Sequence, residues 1–174
     1  MGREAAEQGR YLPRMPPLSP YRSLPSARRI ALITRAISGS REARALYVQR
    51  LVARGGGFRA VTLSTWPADR LAREVVRMNA EKPQDELDLL QMLYVDVDPS
   101  IQTTFLDAAG VQHEQGKLAD DLAAPYADAD SVRRAATAVR EQHGDDGMRY
   151  LRTLARYNVE GWPGIDAMVT ELEA

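Results

Sequence analysis

From Glu86 to Gly110 the chain carries its densest apolar pattern. Leu87, Leu89, Leu90, Met92, Leu93, Tyr94 and Val95 place seven apolar side chains in nine positions. At about 100° per residue they surround a helix almost completely, leaving Asp88 and Gln91 as a narrow polar strip. A helix apolar on most sides must be covered on most sides. The spacing therefore predicts a buried central helix over about 84–95, opened by Pro83 at the first helical position with Asp85 and Glu86 in the first turn. Asp98-Pro99 then reads as a cap and first residue of a second helix, in which Ile101, Phe105 and Ala108 share a face and Gly110 makes the stop. Read as a strand, Tyr94–Asp98 would alternate valine with aspartate, but it finds no partner strand elsewhere.

The flanking segments repeat the helical period in shorter pieces. Ser26 caps a helix with Ile30, Ile33 and Ile37 together, and Gly39 ends it. Ser40 caps the next, carrying Ala43, Leu46, Tyr47 and Leu51 up to Gly55-Gly56-Gly57. Phe58–Ser64 fits either a lone strand or irregular chain. Trp66-Pro67 starts a helix with Leu71, Val75 and Met78 inward and Arg70, Arg73 and Arg77 outward. After a long polar connection, 111–130, with a helical turn expected at Leu118–Ala123, Asp130 or Ser131 caps a helix with Val132, Ala135, Ala136, Val139 and His143 on one face. Gly144-Asp145-Asp146-Gly147 breaks it. Met148, Leu151, Leu154 and Ala155 line another helix, with Arg149, Arg152 and Arg156 outside. Trp162-Pro163 opens the last, with Ile165, Met168, Val169 and Leu172 in register.

These elements predict an all-α fold: a compact bundle of six to eight short helices around the central one, in a single domain over 26–174. Residues 1–25 hold Pro13, Pro16, Pro17, Pro20 and Pro25 among arginines and serines, which predicts an extended Pro/Arg-rich arm, disordered when alone. Its Tyr11, Leu12, Met15, Leu18, Tyr21 and Leu24 read as anchors for a partner or for the protein's own body.

Charge changes the picture more than composition does. The formal net charge is −1, yet residues 1–80 hold 15 arginines against five acids, and residues 81–174 hold eight basic residues against 19 acids. The basic half, 26–80 with the arm, and the acidic half, 81–174, either neutralise each other within one fold or point to a charged partner. Arginine suits carboxylate and phosphate because its planar fork makes two hydrogen bonds at once. The candidate partner-binding residues are Arg14, Tyr21, Arg22, Arg28, Arg29, Arg35, Arg41, Arg44, Arg70, Arg73 and Arg77.

Catalytic chemistry finds little support. There is no cysteine, which removes disulfides, zinc-thiolate sites and a thiol nucleophile, and fits a reducing compartment. The two histidines, His113 and His143, lie in no His-Glu-x-x-His or Glu-x-x-His pattern. Asp96 to Asp107 imitates a calcium loop, but Ile101 replaces its turn glycine and Pro99 stiffens it. The glycine run at 55–57 lacks the following Gly-Lys-Ser/Thr of a phosphate loop. The acidic doublets at 120–121 and 145–146 fall where aspartate does ordinary capping. No Gly-x-Ser-x-Gly elbow occurs, and the helix-turn-helix-like run after Phe105 has Gly116 in its would-be reading helix, offers one lysine and adjoins Asp120-Asp121, which would repel phosphate. The expectation is a non-enzymatic, cytoplasmic helical interaction or adaptor protein with no cofactor and no metal. It docks on the acidic surface of another protein through its arm and first helices, homo-oligomerisation being compatible with this. The alternative is a nucleic-acid-binding accessory or regulatory protein using the same arginines. No apolar run reaches the roughly 18 residues of a membrane span.

Overall fold

The computed structural model describes residues 19–174. The chain forms α1 (Ser26–Gly39), α2 (Arg41–Ala53), α3 (Ala60–Ser64), α4 (Ala68–Arg77), α5 (Pro83–Gln91), a π-helical turn (Met92–Val97), α6 (Ser100–Ala109), α7 (Ala129–Tyr157) and α8 (Ile165–Leu172). Among the described residues there is no strand, and the fold is the all-α bundle that the periodicity predicts. α1 packs against α4, with α2 beside α1 and α3; α7 packs against α6 and α8. The segment from α5 through the π-helical turn leads from the first group of helices to the second.

Local chemistry explains most boundaries. Pro83 stands at N1 of α5, and the Asp85 carboxylate accepts from the Lys82 backbone N–H at 2.9 Å, satisfying a donor that the helix itself cannot. The Ser40 hydroxyl accepts from Ala43 N–H at 3.1 Å and caps α2. Gly110 closes α6 in the left-handed conformation, φ 74°, where a side chain would be strained.

Several boundaries differ from the expected ones. Asp98 does not cap α6: Pro99 precedes the helix, and the Asp98 carboxylate instead accepts from Ser100 and Arg28. Pro25 rather than Ser26 precedes α1. Pro67 stands before α4 with extended ψ 147° instead of inside it, and Trp162-Pro163 lies in a turn that ends at Gly164, the residue before α8. Residues 60–64 form a single helical turn, neither strand nor coil. Leu118–Ala123 forms no helix, only one hydrogen-bonded turn from Leu122 N–H to the Ala119 carbonyl (3.1 Å), and before it Glu114 and Lys117 exchange backbone hydrogen bonds in a tight loop. The break expected at 144–147 is present: Gly144 leaves helical geometry (φ 53°, ψ −125°) and separates two helical stretches of α7, the second of which takes in Asp145, Asp146 and Gly147. Asp128, not Asp130 or Ser131, caps its start by accepting from Ser131 N–H at 2.8 Å.

The core confirms the central helix and revises its coverage. Leu89, Leu90, Leu93 and Tyr94 are buried; Leu87, Met92 and Val95 are half-buried. At about 1.5–3 kcal/mol per fully buried side chain, the first group makes a large contribution. Tyr94 packs edge-to-face on Tyr150 (centroids 4.9 Å apart), Tyr150 on Phe105 (5.7 Å) and Phe105 on Trp162 (4.8 Å), which ties the π-helical turn to α6, α7 and the turn before α8. In α2 the buried stripe is Tyr47, Val48, Arg50 and Leu51, while Leu46 is 40% exposed, so the helix is rotated relative to the predicted face. Residues 20–24 form a turn that folds onto the body, with Tyr21 and Leu24 buried.

Candidate functional site

The structure distributes the candidate arginines between two tasks. One set is used internally. Arg29 donates to the Glu81 carboxylate at 2.5 Å, and both side chains are buried. Tyr21, 0% exposed, donates its hydroxyl to the same oxygen at 3.2 Å, and the Arg29 guanidinium lies 5.3 Å from its ring. Arg22 donates to Glu86 (3.0 Å), to the Glu81 backbone carbonyl (2.8 Å) and to Asn79 (3.1 Å). Arg28 bridges Asp98 (3.2 Å) and Asp146 (2.9 Å). Arg50, absent from the sequence candidates, forks onto Asp85 at the start of α5. Each of the arginine–carboxylate pairs joins the basic half to the acidic half. Tyr21, Arg22, Arg28 and Arg29 are therefore committed to intramolecular contacts, and Tyr21 is closed to any partner.

Burial and charge act on these groups in opposite senses. Desolvation pushes the Tyr21 phenol well up, and the neighbouring Glu81 charge adds to it, so this hydroxyl stays a donor. Burial also raises the Asp146 carboxyl, but hydrogen bonds and charge from Arg28 and Arg149 outweigh it and hold the group below the usual aspartate value.

The other set faces water. Once the internal pairs are formed, α1–α4 and their connections keep eight arginines outside them (Arg35, Arg41, Arg44, Arg54, Arg59, Arg70, Arg73, Arg77) against three acids (Glu42, Asp69, Glu74). Arg73 and Arg77 form surface pairs with Asp69 and Glu74 along α4. Arg35, Arg41 and Arg59 are exposed, and no ion pair engages them among the described residues. The densest spot surrounds Trp66. Arg44 donates to the carbonyls of Ser64 (3.1 Å) and Trp66, Arg70 lies over the indole at 3.9 Å, and Phe58 packs against its edge at 5.2 Å. One guanidinium thus stacks on a half-buried Trp–Phe pair while a second holds the backbone that carries the indole. Sequence reading named these arginines but not the aromatic pair, whose members are eight positions apart and share no helix. Arg14 lies outside the described residues.

The histidines are structural. His113 accepts from Gly116 N–H through Nδ1 (3.1 Å), which leaves Nε2 facing Asp107 at 3.0 Å. Its side chain is only 10% exposed, so the ring holds the 113–116 loop instead of standing in solvent. His143 meets Thr104 at 3.0 Å, linking α7 to α6 at the bend. Among the described residues no cluster of three or more His, Asp or Glu side chains could hold a metal ion, and no helix is long and apolar enough to cross a membrane.

Comparisons with protein-family models, with curated proteins and with solved structures find no match to this chain. Any functional reading therefore rests on the side chains themselves.

Proposed function

We propose that this protein is a non-enzymatic helical interaction module of a reducing, cytoplasmic compartment that docks on an acidic partner protein through the Trp66 cluster and the arginines around it. The observation that carries the reading is Arg70 over the Trp66 indole with Arg44 on the Trp66 backbone carbonyl, in a stretch of chain, α1–α4, where arginines outside the internal pairs outnumber acids eight to three. Tryptophan and arginine are the residue types that most often dominate binding at protein interfaces, and a surplus of one charge steers a complementary surface into contact. Because Arg22, Arg28, Arg29 and Arg50 are paired internally, the proposed docking residues are the exposed arginines of α1–α4, among them Arg35, Arg41, Arg73 and Arg77.

A poly-glutamate peptide labelled for fluorescence anisotropy tests this. Binding at low salt is expected, with at least about tenfold weaker affinity in the Arg41→Glu/Arg70→Glu variant. These side chains are exposed, so melting should hardly move. Absence of binding, or equal binding by the variant, would overturn the reading. The nucleic-acid alternative uses the same arginines. It gains from the Trp66 ring, because bases stack on aromatics, and loses from the exposed aspartates of the acidic half, which repel phosphate. An oligonucleotide of equal charge that binds tighter than the peptide, with affinity falling by roughly one log-log unit per phosphate neutralised, would select it.

A further inference from the structure

A cleft of about 260 Å³ lies where the central helix is incompletely covered, between α5 with the π-helical turn on one side and the second half of α7 on the other. Half-buried Leu87, Val95 and Leu154 leave apolar surface open in it, beside the aromatic side chains of Tyr94 and Tyr150. Gln91, Tyr157 and Asn158 add side-chain hydrogen-bond donors. Aromatic and aliphatic surface interrupted by donors is the surface on which polyproline II segments dock, because the backbone carbonyls of that helix find no partner within it.

The chain carries such a segment. Leu12-Pro13-Arg14-Met15-Pro16-Pro17-Leu18 lies outside the described residues and leads directly into Ser19. At three residues per turn, polyproline geometry puts Leu12, Met15 and Leu18 on one edge and Arg14, the only charge, on another. The 20–24 turn that follows is tied to both walls of the cleft. Arg22 donates to Glu86 of α5 at 3.0 Å, and Arg149 of α7 donates to Ser23 at 3.1 Å. Four residues on, and so on the same helix faces, Leu90 and Thr153 line the cleft. The cleft thus begins one helical turn, about 5.4 Å, beyond the residues that anchor the turn. At about 3.1 Å per residue, Met15 reaches about 12 Å from Ser19 and Leu12 about 22 Å, enough to enter it.

We propose that this cleft is the docking site of the chain's own residues 12–18, seated as a polyproline II segment with Leu12, Met15 and Leu18 inward and Arg14 in water. The site is separate from the Trp66 cluster: occupancy here neither requires nor excludes docking there.

The test uses the full chain. It has no cysteine, so Arg14→Cys carries a nitroxide label at a single place. In a ¹H–¹⁵N spectrum the amide signals of Gln91, Val95, Leu154 and Tyr157 should be lost to paramagnetic broadening, while those of Val61 and Thr62 in α3 stay. Adding Met15→Asp and Leu18→Asp should restore the lost signals, because carboxylates on the inward edge would be desolvated against Leu87, Val95 and Leu154. Val95→Arg, which changes the cleft and not the segment, should restore them as well; should it fail to fold, the aspartate variant decides. Absence of broadening at the cleft, or broadening that survives the aspartate variant and so reports only the tether, would overturn the proposal. Equal broadening when labelled ¹⁴N chains are mixed with unlabelled ¹⁵N chains would give the cleft to a second copy and overturn it too.

Discussion

Arg29 of α1 and Glu81, 52 positions later, make a 2.5 Å charge-assisted hydrogen bond with both side chains closed to water. This bond joins the strongly basic half of the chain to the strongly acidic one at the point where α4 gives way to α5. Tyr21 and Arg22 complete the shell around Glu81, so the turn at 20–24 is fixed by the same carboxylate. The asymmetry of charge along the sequence is thus in part a device of folding: four arginines of the basic half meet acids far along the chain across the bundle.

Removing one partner of such a pair is expected to cost far more than removing both. Glu81→Ala leaves Arg29 buried without its counter-charge and should lower stability by about 3–5 kcal/mol. Glu81→Gln keeps an oxygen for Arg29 and Tyr21 and should cost less. Arg29→Met combined with Glu81→Gln should be less destabilised than the sum of the single changes. Urea unfolding of the four proteins measures this, and strict additivity would show that the pair does not act as a unit.

The bend in α7 gives a second prediction, set by backbone geometry. Gly144 has φ 53° and ψ −125°, which residues with a Cβ rarely adopt, and a Cβ there would meet nothing. Gly144→Ala should therefore cost about 1–3 kcal/mol through strain alone. At Gly147 a Cβ would lie 2.5 Å from the Val139 carbonyl oxygen and 2.9 Å from its side chain. Backbone cannot yield there without opening the bend, so Gly147→Ala should cost at least as much. Gly110→Asn is the control: φ 74°, ψ 25° is a left-handed position that asparagine tolerates, and the melting point should fall little.

Much of this architecture is legible locally. Ser40, Pro83 and Gly110 act within one turn of where they stand, and each marks the boundary that its chemistry predicts. Trp-Pro pairs mislead because proline fits just before a helix with extended ψ as well as at its first position; Pro67 takes the former. Leu46 misleads for another reason. An arginine, Arg50, takes a buried place in α2 by reaching Asp85, which turns the helix and leaves Leu46 outside. No spacing rule in α2 shows an acid 35 positions away. The candidate arginines were likewise visible as residues, but their division into paired and surface groups depends on Glu81, Glu86, Asp98 and Asp146. The apolar pattern of 87–95 leaves only Asp88 and Gln91 polar; that Leu87, Met92 and Val95 nevertheless stay half-covered is a property of packing.

Acid should weaken the fold through Asp146. Arg28 and Arg149 hold its folded value below the ordinary aspartate value of 3.8. The contribution is then fully present above pH 3.8 and is lost as the pH falls through the lower folded value, because the unfolded chain binds the proton first. Melting profiles of wild type and Asp146→Asn should differ at neutral pH and converge in that acid window. A gap that stays constant down to pH 2 would exclude the linkage.

Asp85 carries two duties that can be separated. One oxygen accepts from Lys82 N–H and closes the start of α5, and the carboxylate as a whole pairs with the mostly buried Arg50. Losing an N-terminal capping acceptor costs about 1 kcal/mol, whereas stranding a largely buried guanidinium costs several. Asp85→Ala removes both interactions. Asp85→Asn keeps a neutral acceptor for the cap but gives up the charge. Arg50→Met removes the cation and leaves the cap intact, and its straight apolar chain fills much of the same space beside Tyr47. The expected order of stability is wild type, then Arg50→Met, then Asp85→Asn, then Asp85→Ala. Chemical denaturation at neutral pH gives the order directly. If Arg50→Met were the least stable of the three, the cation would be worth more to the fold than the cap and the avoidance of a stranded charge together.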